Sequence, residues 1–90
     1  MGMHIAICDD SGTDREYVEE MVQRWIRTRG RTARVCQYSS AENFLFRAPE
    51  DGGADILLLD IEMGAMDGVT LAKRLRQSNE TMQIVFITGY

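Results

Sequence analysis

A chain of 90 residues supports one domain near the lower limit at which a single apolar core suffices, and 44% apolar with 27% charged residues is ordinary globular composition. No apolar run approaches the roughly 18 residues of a membrane-spanning helix and no secretory leader pattern opens the chain, so the expected location is the cytoplasm. A net charge of −4 and a pI near 4.8 argue against this domain gripping nucleic acid by itself.

Met3 to Cys8 is a short apolar run with branched residues, closed by Asp9 and Asp10, and reads as a buried strand carrying carboxylates at its C-terminal end. Ser11 can cap a following helix, with Asp14 and Glu16 in its first turns. Val18, Met21, Val22, Trp25 and Ile26 then recur at helical spacing as one apolar stripe, and Gly30 is a natural stop. Trp25 is expected to anchor the core or a helix–helix contact. Arg24, Arg27, Arg29, Arg31 and Arg34 read as a solvated helix end whose cations complement the dipole, a docking surface for an acidic partner being the alternative.

Arg34 to Tyr38 reads as a second strand. Ser39 and Glu42 have capping-box spacing, which predicts a short helix through Phe44, Leu45 and Phe46, ended by Pro49. Ile56 to Leu59 are consecutive apolar residues running into Asp60; with no polar alternation this strand must be covered on both faces, at the centre of a sheet. Gly64 and Gly68 bracket a tight loop, and Val69 to Gln77 reads as a third helix with Leu71, Ala72 and Leu75 inward. Gln83 to Thr88 is a fourth buried strand ending in a hydroxyl. The alternation predicts a parallel α/β sheet with right-handed crossovers and helices on both faces. Cys8 and Cys36 lack CxxC spacing and companion histidines, so they read as reduced, buried thiols; His4 is assigned to the strand edge.

Parallel strands bring their C-terminal ends to one edge, so Asp9, Asp10, Asp60 and Thr88 are expected to converge there. Gathered carboxylates repel one another, and a hard divalent cation relieves that cost; carboxylate and backbone oxygens suit Mg²⁺. The same cation would let an aspartate approach an anionic phosphoryl donor. The Thr88 hydroxyl and the Gly89 backbone N–H would donate to a phosphoryl oxygen.

The stretches IAICDD (Ile5 to Asp10), LLLDIEMGAMDG (Leu57 to Gly68) and VFITGY (Val85 to Tyr90) resemble the receiver domain of two-component response regulators. The resemblance implies a flavodoxin-like doubly wound parallel sheet of order 2-1-3-4 that spans the whole chain. It also implies phosphorelay signal transduction, with Asp60 as phospho-acceptor, Asp10 a direct Mg²⁺ ligand and Asp9 a ligand through water. Glu62 would bind through its backbone carbonyl, and Thr88 would be the switch hydroxyl. The implied donor is a sensor histidine kinase. The ICDD opening, YSSAENFL and LDIEM are similar to receivers joined to a LytTR-type DNA-binding domain, which implies a transcriptional output. Such a domain is no enzyme in the usual sense, since it accepts the phosphoryl group on itself.

Two departures from that pattern stand out. Gly64 occupies a position where the family usually carries proline, with little functional effect expected. A complete receiver also resembles this chain plus a further helix, a lysine-ended fifth strand and a final helix. The expectation is therefore a receiver shortened after its fourth strand. Lys73 is badly placed to replace that lysine, so metal binding should survive better than phosphotransfer. The fourth strand would then be an apolar edge, and a homo-oligomer formed through it is expected. Two other functions compete. A fold-only interaction module would keep the architecture without the chemistry. A phosphohydrolase of the haloacid dehalogenase type would need an aspartate where Glu62 stands. A dinucleotide-binding fold is disfavoured because the first turn reads DDSGTD, not a glycine-rich loop.

Overall fold

A computed structural model of the chain describes residues 2–64, 66–78 and 81–87. Its elements run β1 (Met3–Cys8), α1 (Gly12–Arg29), β2 (Ala33–Tyr38), α2 (Ala41–Arg47), β3 (Ile56–Asp60), α3 (Gly68–Arg76) and β4 (Gln83–Ile87). The four strands form one parallel sheet in the order β2-β1-β3-β4. This is the flavodoxin-like order expected from the resemblance.

Alternation along the strands sorts side chains between the two faces. Ala6, Cys8, Tyr38, Leu57 and Leu59 point to the face covered by α2 and α3, where they pack with Phe44, Met63, Leu71 and Met82. The buried Tyr38 ring meets Phe44 edge-on at 5.0 Å, and its hydroxyl donates to Asp51 Oδ2 at 2.8 Å. Ile5, Ile56, Leu58 and Val85 point to the α1 face, where with Val18, Met21 and Trp25 they line an apolar groove.

Helix boundaries follow from their caps. Ser11 Oγ accepts from Asp14 N, and Gly30 ends α1 in the left-handed conformation (φ 63°) that a side chain would disfavour. The cap of α2 is Ser40, whose Oγ accepts from Asn43 N, and not Ser39 as the Ser39–Glu42 spacing suggested. Ser40 has the extended backbone that an N-cap needs, and Ser39 N donates to Asn43 Oδ1 instead. Asp67 caps α3 through Thr70 N, so that helix begins one residue earlier than periodicity indicated.

Two side chains depart from expectation. Trp25 is 39% exposed and lies beside the Arg29 and Arg31 guanidiniums at 6.0 and 5.9 Å, so it is no core anchor within the described fold. Of the expected stripe only Ile26 is buried, while Val18, Met21, Val22 and Trp25 line the open apolar groove shared with the sheet. Cys8 is buried as expected, whereas Cys36 is only partly covered.

His4 is the second residue of β1, near the end of the strand as expected, and it is buried. Its Nδ1 is 3.3 Å from Arg34 Nη2, which can only donate, so Nδ1 accepts and Nε2 carries the proton toward Cys36 Sγ at 3.4 Å. Burial, and then the Arg34 charge, lower the His4 pKa, against opposing contributions from the Gly53 backbone, Asp55 and Asp51. The unfolded chain therefore takes up a proton near pH 6.5 that the folded chain refuses. The stability linked to His4 is complete above about pH 6.5 and is lost as pH falls toward the folded value. Thermal melts from pH 7.5 down to 5 should show the wild type losing more stability than His4→Leu; parallel curves would refute this.

Candidate functional site

The sheet register determines what meets at its C-terminal edge. Cys8 pairs with Leu59, so Asp9 and Asp10 leave β1 alongside Asp60 at the end of β3. One carboxylate oxygen each from Asp9, Asp10 and Asp60 lies within 4.8 Å of the others. Asp9 is buried at 6% exposure, Asp60 is half-buried, and Asp10 is open to solvent.

Local hydrogen bonds hold this arrangement. Asp9 N donates to Tyr38 O at 3.1 Å, and Asp9 Oδ1 accepts from Ser11 N at 2.9 Å. Asp60 Oδ1 accepts from Glu62 N at 3.3 Å. Burial pushes the Asp60 carboxyl above its ordinary value, and the neighbouring Asp9 charge adds to that push. Burial likewise raises Asp9, against the opposing Ser11 N–H. Below them the Cys8 thiol, 3.7 Å from Met63 Sδ, is pushed up to about 12 by burial, so it stays protonated.

A metal fits this donor set. The ligand atoms are all carboxylate oxygens, they are close enough to share one ion, and their crowding raises the cost of keeping them charged without a cation. Glu62 is exposed in the loop after β3 and its carboxylate is not part of the three-residue cluster. Thr88 and Gly89 lie outside the described residues; Ile87, the last described residue of β4, pairs with Asp60.

The family model for the response regulator receiver domain matches residues 5–90. The chain belongs to that family. Among relatives of the receiver domain, an uncharacterized response regulatory protein of Vibrio cholerae is 43% identical over 54 residues, covering 58% of this chain and 21% of its own length. The transcriptional regulatory protein NatR of Bacillus subtilis is 27% identical over 86 residues, covering 96% of this chain and 35% of its own length. The matched part of this chain thus spans about a fifth and about a third of the length of these two relatives.

Solved structures share the fold. The response regulator TrrA of Thermotoga maritima, in complex with Mg²⁺ and BeF, is 24% identical with a TM-score of 0.80, covering all of this chain and 71% of that one. A chain of the complex between histidine kinase ThkA and TrrA is 26% identical with a TM-score of 0.79 over the same shares. No described helix is long and apolar enough to cross a membrane.

Sequence reasoning missed Arg15. It sits on α1 with Nη1 donating to Asp9 O at 2.7 Å and Nε to Gln37 Oε1 at 3.2 Å. The Arg15–Glu19 spacing of four was a visible signal, but Gln37 is supplied by another strand. Gly68 was read only as a loop bracket. In the fold it lies against the end of β3, where an added Cβ would stand 2.2 Å from Asp60 O.

Proposed function

We propose that this receiver domain accepts a phosphoryl group on Asp60 with the help of Mg²⁺ held by Asp9, Asp10, Asp60 and the Glu62 backbone carbonyl. The observation that carries the reading is the approach of three carboxylates from two strands to within 4.8 Å. Bound Mg²⁺ would supply the positive charge that lets one anion approach another. An Asp60 oxygen then attacks phosphorus of a kinase phosphohistidine, the P–N bond breaking as the O–P bond forms and the imidazole leaving. The Thr88 hydroxyl and Gly89 N–H donate to the phosphoryl oxygens, and Thr88 following the phosphate shifts the face that a partner reads. The protein turns over no separate substrate.

The family match and the likeness to NatR support a cytoplasmic phosphorelay role with a transcriptional output; the YSSAENFL and LDIEM segments favour a LytTR-type DNA-binding domain. Incubation with acetyl phosphate and Mg²⁺, followed by intact mass measurement, should show one phosphoryl group on the wild type and none on Asp60→Asn. Equal labelling of both would defeat the assignment. Steady release of phosphate from a phosphomonoester would favour a hydrolase instead.

We also propose that the 90 residues self-associate through β4. It is the edge strand of the described sheet, and Val85 and Phe86 on its opposite faces are 46% and 43% exposed. Sedimentation should show a dimer or larger species that Val85→Lys disperses; a wild-type monomer at high concentration would refute it.

A further inference from the structure

One charged network at the acidic edge is not explained by phosphoryl acceptance alone. Arg15 and Glu19 stand four residues apart on α1, and the Gln37 side chain of β2 is held between them. Arg15 Nε donates to Gln37 Oε1 at 3.2 Å, and Gln37 Nε2 donates to Glu19 Oε1 at 2.7 Å. A guanidinium only donates and a carboxylate only accepts, so the amide between them has one satisfactory orientation. Thus braced, the guanidinium directs Nη1 to Asp9 O at 2.7 Å. That carbonyl belongs to the peptide unit joining Asp9 to Asp10, so its orientation sets where both carboxylates start. The Asp9 N–H and side chain are already engaged by Tyr38 O and Ser11 N, and Arg15 completes the hold from a third direction.

We infer that Arg15, braced by Gln37 and Glu19, is a positioning residue that orients the Asp9–Asp10 peptide for divalent cation binding, an inference that rests on the Mg²⁺ site proposed above. Charge alone predicts the opposite sign. A guanidinium near three carboxylates competes with a cation, so deleting it should strengthen Mg²⁺ binding; deleting a positioning contact should weaken it. Gln37→Leu separates the two effects because it changes no charge. Contacts that orient metal ligands typically change affinity by about 10–100-fold, and a contact acting through the backbone belongs at the lower end.

The experiment titrates Mg²⁺ calorimetrically into the full chain as wild type, Gln37→Leu, Arg15→Lys and Arg15→Ala, with circular dichroism verifying each fold. The Arg15 Nε–H resonance is followed without metal. Roughly tenfold weaker binding in Gln37→Leu and in Arg15→Lys, which keeps the charge but not the fork, is the expected result. A slowly exchanging Nε–H in the wild type should be lost in Gln37→Leu. If Gln37→Leu fails to fold, Arg15→Lys decides. Unchanged affinity in these variants, or tighter binding in Arg15→Ala, overturns the positioning role while leaving the Mg²⁺ site intact. A wild type with a protected Nε–H that takes up no Mg²⁺ overturns both.

Discussion

Gly68→Ala should destabilise the fold and depress phosphoryl labelling of Asp60 together. An alanine Cβ would stand 2.2 Å from Asp60 O and 3.0 Å from both Asp60 C and Ile61 Cα. These obstacles are backbone atoms, so no side-chain rotation relieves them. Overpacking of this kind costs about 1–3 kcal/mol, and each kcal/mol lowers Tm by roughly 4–8 °C in a domain this small. Helix propensity predicts the reverse sign, because Gly68 is the first residue of α3 and alanine is the better helix former. Gly64→Ala is the matched control, since its Cβ would meet nothing within 4 Å. A Gly68→Ala melt at or above the wild-type temperature would refute the close-approach argument. Unchanged labelling would show that the acceptor tolerates the displaced backbone.

The second large effect concerns charge. Asp60→Asn should raise the metal-free melting temperature while removing most of the stabilisation that Mg²⁺ confers. Three carboxylates within 4.8 Å repel one another, and the isosteric amide deletes one charge while still accepting from Glu62 N. Relief of about 1 kcal/mol corresponds to a Tm gain of several degrees, screened by salt because Asp10 is exposed. A cation at 100 times its dissociation constant stabilises the wild type by about 2.7 kcal/mol. Calorimetric scans with EDTA or excess Mg²⁺ should therefore reverse the order of the two proteins. If Asp60→Asn melts lower without metal, the carboxylates are not a source of strain.

Much of this was legible in the sequence because the strongest signals are local. The unbroken run Ile56 to Leu59 announced a central strand, Ser11 and Gly30 bounded α1, and parallel strand ends implied that Asp9, Asp10 and Asp60 would meet. Other features depended on partners remote in the chain. Choosing Ser40 over Ser39 as cap depends on backbone angles that two adjacent serines do not encode. The exposure of Trp25 depends on where α1 lies across the sheet, whereas periodicity only says which residues share a stripe. His4 needs Arg34 and Cys36 from β2, Arg15 needs Gln37, and the requirement for glycine at 68 arises only when α3 folds back onto β3.

That return of the chain has a mechanical side. Gly68 N donates to Ile61 O at 2.9 Å, and at the far end of α3 Arg76 Nη1 donates to Met82 O at 2.6 Å, immediately before β4. The helix is thus a short rod pinned at both ends, one pin just past the strand that ends in Asp60 and the other at the entrance to its neighbour. Through α3, the residue that follows Asp60 and the residue that precedes β4 are therefore joined by a hydrogen-bonded route separate from the sheet's own ladder.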